Sequence, residues 1–484
     1  MKNKIKKINQ LNNKLLKKDK FMILCLKYKQ FKIIIFLLPL IIIIRNKNII
    51  LKYKLDINEK YIKIQKNINI TFKNKIKNKI NIGIYGYCIK NGGRARITAF
   101  LLNYFYKIKI FNVFLFTRID KENNEYFIPH DIKRIVIKNN LMKIIRKNKI
   151  DILIYELYNI KEIESLTKVN DLKVIFYLHS SIFDWIYENY TNFKYIYKAY
   201  SNSKYCVSIV HLENDYLFGK WGIKSILVNN FMTYQYNSII PSELSSNIIL
   251  MFGRGNAIKK RFELGIQAME YIISIFYNCE LKIISSLIGI NHLENLINNL
   301  DIDKNVKLIG YSSIPEIYFK NASLNFFPSI SESFGLVLSE AKIYGVPNIL
   351  LGLDYISIAN GGTIIIYDDS PESLAKESIK ILENNKYKKV LGIEAKLSMK
   401  NFDNELLFVK WVKLLLSIYN DNTDNTDNSG NYYEKIRQEG KKISTNDSLK
   451  IIKNQLKLLK KRDRRFTNLS LNNFENFTFL ENIN

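Results

Sequence analysis

Ser329-Ile-Ser-Glu332-Ser-Phe-Gly-Leu-Val-Leu-Ser-Glu340-Ala341 is the stretch on which the reading of this chain turns. The apolar residues before it, Ser323 to Pro328, predict a strand. Ser and Gly mark a turn, and the Leu-Val-Leu run predicts a helix whose first turn carries Glu332 and whose third turn carries Glu340. Helical rise would then separate the two carboxylates by roughly 12 Å, against the roughly 5 Å of a retaining-glycosidase pair. They are not one acid–base pair. The free N–H groups at the helix start, about Ser333 to Leu336, and the positive end of the helix dipole favour an anion between them. Carboxylate, anion site, carboxylate suits a ligand with hydroxyls at both ends and phosphate in the middle.

A nucleotide sugar has that form: hexose, diphosphate, ribose. The cations it requires stand upstream. In Asn247-Ile-Ile-Leu-Met-Phe-Gly253-Arg254 an apolar strand ends in Gly-Arg, and Lys260-Arg261 opens a periodic helix marked by Phe262, Ile266, Met269 and Ile273. A guanidinium and an ammonium near the carboxyl end of one strand can hold a diphosphate. Either element alone reads as ordinary solvated charge.

Taken together, Gly-Arg with a Lys six residues after the Arg, then E-x7-E within S-E-S-F-G-L-V-L-S-E-A, resembles the nucleotide-sugar half of group 1 (family 4) glycosyltransferases. The resemblance runs from about Asn81 to Tyr419. It implies the GT-B fold, α/β with two Rossmann-like doubly wound domains facing each other across a cleft. It also implies that Arg254 and Lys260 bind the donor diphosphate with the helix start at Phe334, Gly335 and Leu336, that Glu332 contacts the sugar hydroxyls, and that Glu340 binds the ribose.

The N-terminal half agrees with that implication. Lys79-Ile-Asn-Ile-Gly-Ile-Tyr-Gly-Tyr is a buried-type strand, and Ile89-Lys-Asn-Gly92-Gly93-Arg94 leads into a helix predicted to begin near Ala95. A double glycine between strand and helix permits close backbone approach to a phosphate. It is not the G-x-G-x-x-G fingerprint, but it resembles the family's N-terminal Gly-Gly loop. His179 ends the apolar strand Val174-Ile-Phe-Tyr-Leu-His. Such a histidine is ordinarily structural; the family places one at an equivalent strand end near the donor sugar. His211, His130 and His292 carry no comparable signal. The four histidines and four cysteines form no metal-ligand spacing, and Asp301-Ile-Asp303 reads as a solvated turn, so no metal and no cofactor are expected.

Composition and length fit two domains. The chain has 484 residues and is 47% hydrophobic, enough for two ordinary cores. Apolar runs near Ile82, Val113, Ile152, Val174, Val207 and Ile226, then Ile248, Leu281, Val306, Leu324, Ile349 and Ile364, alternate with helical patterns. The predicted boundaries are a basic extension over 1–78, a first Rossmann-like acceptor-side domain over 79–240, a nucleotide-sugar domain over 241–400, a closing helix over 401–419 carrying Trp411, and a polar linker with a basic tail over 420–484.

The net charge of +30 invites a nucleic-acid partner, but residues 1–80 hold 22 Lys or Arg against 3 Asp or Glu, so most of the excess lies outside the enzyme-like region. No nucleic-acid-binding motif accompanies it. Within that extension, Ile33 to Ile44 is an apolar run of twelve residues bracketed by Lys32 and Arg45. It is shorter than the roughly 20 residues that span a bilayer, and the expectation is a membrane anchor or interfacial segment. The catalytic region would then be membrane-associated, with its side of the membrane undecided. Beyond the polar run Asn420 to Gly430, Leu449, Ile452, Leu456 and Leu459 recur at helical spacing among lysines, a pattern that suits an anionic membrane surface or a solvated helix equally.

The expected activity is transfer of a sugar from a nucleotide-diphosphate donor to an acceptor the sequence does not identify, with retention of configuration implied by the resemblance. The alternative is a catalytically silent GT-B protein serving as a membrane-associated partner in glycan assembly.

Overall fold

The computed structural model describes residues 78–420 apart from 91, 139, 170, 178, 182–199, 202, 215–216, 218–221, 224, 254–257, 313 and 354. All of these belong to one compact unit, Ile68–Asn484. The apolar run Ile33–Ile44, the polar linker, the basic tail and Arg254 lie outside the described residues.

Two parallel sheets organise this unit. The first contains β1 (Ile80–Tyr85), β2 (Phe111–Thr117), β3 (Lys133–Val136), β4 (Ile152–Tyr155), β5 (Lys173–Tyr177), β6 (Tyr205–Ser208) and β7 (Ile226–Leu227), in the order β3-β2-β1-β4-β5-β6-β7. The second contains β8 (Ile248–Phe252), β9 (Glu280–Ile284), β10 (Val306–Ile309), β11 (Leu324–Phe327), β12 (Asn348–Leu351) and β13 (Thr363–Ile366), in the order β10-β9-β8-β11-β12-β13. Strands such as Ile-Leu-Ile-Tyr in β4 are buried throughout, as expected where helices cover both faces of a parallel sheet. The α/β GT-B architecture expected from the motifs is the one observed.

In each sheet the strand order reverses once, between β1 and β4 and between β8 and β11. Ligands of doubly wound sheets bind in the crevice at the carboxyl ends of the strands where the order reverses. The segments leaving those four strands are Gly86 to Gly93, Glu156 onward, Gly253 to Lys260 and Pro328 to Gly335. Three of them carry the motif residues; Glu156 was not anticipated.

Two local expectations are corrected. The helix after β11 spans Leu336–Ile343, so Glu332 lies in the preceding loop and Glu340 in the second turn. Gly335 is the reason: its φ of 80° and ψ of 65° are left-handed, a conformation that no right-handed helix passes through and that glycine adopts without strain. Strand β3 had no sequence signal, because Lys-Arg-Ile-Val is a four-residue edge strand with no fully buried position. The helix after Gly92 begins at Gly93 rather than near Ala95.

The last helix, Asn404–Asn420, returns to the first sheet. Trp411 is fully buried, with its ring 6.2 Å from Phe105 and 5.1 Å from Tyr177. Phe408 stacks on Tyr104 at 5.0 Å, and Lys173 Nζ donates to Tyr419 O at 2.6 Å. At the start of this helix Asn404 clasps the Met232 peptide, accepting from its N–H at 2.7 Å and donating to its carbonyl at 2.8 Å. The chain segment between β7 and β8 is thereby fixed.

Candidate active site

The stretch from Ser333 to Glu340 meets the first domain at three points in chain order. Ser333 Oγ donates to the carbonyl of His179 at 2.9 Å. Leu336 stands against Gly93 so closely that a Cβ on the glycine would lie 2.9 Å from Leu336 Cδ1. Glu340 Oε1 accepts from Arg96 and, at 2.5 Å, from Thr233 Oγ1. Leu336 and Glu340 are four apart on one helix, and Gly93 and Arg96 three apart on the other, so each pair lies on one face of its helix.

Two helix N-termini therefore converge. In the Gly93–Tyr106 helix the first backbone bond is Arg96 N–H to Gly92 O at 3.3 Å, which leaves the N–H groups of Gly93, Arg94 and Ala95 without helical acceptors. In the Leu336–Ile343 helix it is Ser339 N–H to Gly335 O at 3.0 Å, which leaves those of Leu336, Val337 and Leu338. The free N–H groups thus sit a few residues later than the Ser333-to-Leu336 span expected from the sequence. Neither helix has an acidic residue in its first turn. The positive ends of both dipoles face a common region, a setting for a polyanion.

Beside it, Lys260 Nζ donates to Glu332 Oε1 at 2.5 Å and lies 5.4 Å over the Phe327 ring. Lys260 ends a short 3-10 turn, Ile258–Lys260, and Gly253 leaves room for its stem. Tyr355 holds the Glu332 backbone: its hydroxyl accepts from Glu332 N–H and donates to Glu332 O, both at 3.1 Å. Glu332 and Glu340 thus have separate partners, Lys260 for one and Arg96 with Thr233 for the other. That separation no longer depends on helical rise.

On the first domain's side, His179 Nε2 is 3.4 Å from Glu156 Oε1. Glu156 is fully buried and accepts from Thr98 Oγ1 at 2.6 Å through its other oxygen. Gly86 makes room for it, since a Cβ there would lie 3.1 Å from Glu156 Oε2. In the tautomer whose Nε2 donates to this carboxylate, His179 Nδ1 is an acceptor; it is buried and has no hydrogen-bond partner among the described residues. A buried polar atom left unpaired at a cleft is costly without a ligand.

The sequence reading missed Arg96, Thr233, Glu156 and Tyr355. Two of them carried a usable signal: Arg96 follows Gly93 by one helical turn, and Glu156 closes the apolar run of β4. Thr233 and Tyr355 carried none. Among the described residues no cluster of three or more His, Cys, Asp or Glu could hold a metal ion.

Solved structures with the same architecture are recognisable. The chain superposes on the sucrose-phosphate synthase of Thermosynechococcus elongatus with a TM-score of 0.61 at 16% identity, covering 70% of this chain and 99% of that one. It superposes on Anabaena HepE, solved with UDP and glucose, with a TM-score of 0.58 at 14% identity, covering 70% and 100%. Together with the two facing sheets, these define a GT-B protein. Residues 236–398, the span of the second domain, match the family model of glycosyl transferases group 1. The capsular polysaccharide biosynthesis glycosyltransferase CapM of Staphylococcus aureus is 28% identical over 206 residues, 40% of this chain and 50% of that relative. The chain thus spans about half the length of the curated relative it matches.

Proposed function

We propose that this protein is a glycosyltransferase that moves a sugar from a nucleoside diphosphate donor to an acceptor, with retention of configuration. The observation that carries the reading is the meeting of two helix N-termini, Gly93 against Leu336, with Lys260 beside them. As the bond from the sugar to the diphosphate breaks, negative charge grows on the departing group. Preorganised N–H groups and a cation stabilise that charge without reorganising. Lys260 and Arg254 would serve the phosphates, together with the N–H groups that follow Gly92 and Gly335.

Glu332 and His179 would hold the sugar. The first reaches the hydroxyls while its partner, Lys260, links the sugar end to the phosphates. The second offers Nδ1 to a donor hydroxyl. Glu340 would take the ribose. The three contacts between domains would help exclude water from this region and so favour transfer over hydrolysis. HepE has been solved with UDP-glucose, which makes UDP-sugars the first donors to test. The apolar run Ile33–Ile44 would bring the enzyme to a membrane surface, where a lipid-linked or glycan acceptor resides. Among the described residues no helix is long and apolar enough to cross a membrane.

The test is incubation of the full chain with UDP-, GDP- and ADP-sugars and native membranes, with products read by mass spectrometry. One donor should give a glycosylated product, and transfer should survive EDTA because protein groups carry the diphosphate. Restoration by Mn²⁺ or Mg²⁺ after EDTA would instead demand a metal. Neither transfer nor donor hydrolysis with any sugar would leave the silent-partner reading.

A further inference from the structure

Glu340 is 2% exposed and belongs to the second domain, yet both groups that hold it come from elsewhere. Arg96 reaches it from the first turn of the Gly93–Tyr106 helix, and Thr233 from the segment between β7 and β8. Arg96 Nη1 also donates to Thr233 Oγ1 at 2.8 Å, closing a triangle of three chain segments. The triangle is braced. Thr233 follows Met232, whose peptide is clasped by Asn404. The Arg96 guanidinium lies 5.6 Å over the Tyr126 ring. Burial by itself would weaken the arginine's hold on its proton, but the charge of Glu340 and the Tyr126 hydroxyl outweigh it and the net shift is upward.

The two oxygens of Glu340 are not equivalent. Arg96 and Thr233 both donate to Oε1, and among the described residues nothing donates to Oε2. A carboxylate held by two donors at one oxygen is restrained in rotation and presents its second oxygen as a fixed acceptor, so less ordering is required when a hydroxyl arrives.

We propose that Arg96 is a positioning residue for the donor: with Thr233 it occupies Oε1 of Glu340 and leaves Oε2 to accept from the ribose hydroxyls. This rests on the reading of Glu340 as the ribose ligand and deepens it. Because Arg96 belongs to the first domain, ribose recognition by the second is complete only when the domains are apposed. The discrimination between a ribose and a ring without hydroxyls is then a property of two domains, and no fragment of the second alone would carry it.

The experiment is calorimetric titration of the full chain with UDP, GDP and ADP, and then with the 2′,3′-dideoxy counterpart of whichever binds. The wild type should prefer the ribose form by on the order of tenfold, as for one hydrogen bond to a charged group. Arg96→Ala should lose that preference by weakening the ribose form alone, leaving the dideoxy affinity within about twofold; a merely structural role would weaken both forms alike. Thr233→Val should lose part of it. Arg96→Ala combined with Glu340→Gln should be no weaker than Glu340→Gln alone. An undiminished preference in Arg96→Ala overturns the proposal, as does tighter ribose binding, which would make Arg96 a competitor of the ribose. Should Arg96→Ala fail to fold by circular dichroism, Thr233→Val and Arg96→Lys carry the same ratio. If the wild type binds no nucleoside diphosphate, or binds both forms equally, the donor reading of Glu340 itself fails, and the wild-type titration alone reveals it.

Discussion

Gly93 and Leu336 are in contact across the two domains: the Cβ that Gly93 lacks would lie 2.9 Å from Leu336 Cδ1. Each residue opens its helix, so the contact brings two sets of unpaired N–H groups together. The glycine is required here by the closeness of a neighbouring side chain. Its predecessor Gly92 is required by conformation, with φ of 87°.

Gly93→Val should wedge this contact apart. Leu336 is the far end of a flexible side chain and can yield to one methyl group more easily than to three, so Gly93→Ala should be the milder change. For the valine, nucleoside diphosphate binding should weaken by about 1–3 kcal/mol, the range for overpacking a fitted contact. Leu336→Ala in the same chain should recover part of the loss. Titration of the three variants measures it, and equal weakening with and without Leu336→Ala would mean that the two residues do not limit each other.

Glu332 and Glu340 should fail in different ways. Glu332→Gln should lower turnover strongly and leave nucleoside diphosphate binding near that of the wild type, because that ligand has no sugar and Lys260 is released to it. Glu340→Gln should weaken the nucleoside diphosphate by about 1–3 kcal/mol with a smaller effect on turnover at saturating donor. Lys260→Ala and Arg254→Ala should each weaken it by on the order of 2 kcal/mol. Affinity and kcat for the four variants decide the matter; loss of nucleotide binding in Glu332→Gln with none in Glu340→Gln would reverse the two roles.

Glu213 gives the stability of the fold a pH dependence. It is fully buried, its Oε2 accepts from Ile209 N–H at 3.0 Å, and its Oε1 has no hydrogen-bond partner among the described residues. Burial pushes its carboxyl up to about 8, against opposing backbone hydrogen bonds from Ile209 and Val210. Between the ordinary value of 4.5 and about 8 the folded chain keeps the proton and the unfolded chain has lost it. Folding then takes up a proton, and stability falls as pH rises through that window, by at most about 1.4 kcal/mol per pH unit from this group. Glu213→Gln, which keeps the acceptor and cannot ionise, should lack this component. Denaturation at several pH values between 5 and 8 tests it, and parallel profiles for the two proteins would refute it.

Much of this architecture was legible in the residues because parallel strands are buried on both faces and read as unbroken apolar runs. Among the described strands all but one were anticipated; β3, half-exposed at an edge and carrying Lys133 and Arg134, was not. The helix start after β11 was misplaced because composition does not reveal which glycine turns left-handed. Serine and glutamate at 331–333 are as compatible with a first helical turn as with the loop they form.

The sequence by itself determined the two sheets and the segments that leave them at the order reversals, because periodicity and turn chemistry are local. It also offered Gly93, Lys260, Glu332 and Glu340 as candidate site residues. Only the tertiary structure decided their partners. Arg96 and Glu340 are 244 residues apart, as Lys260 and Glu332 are 72, and nothing within either local stretch encodes the other. The first pair is braced by the return of the Asn404–Asn420 helix and the clasp of Asn404 on Met232, which fix the segment between the sheets. A buried carboxylate must find its cation wherever the fold brings one, and here it is brought from the opposite domain.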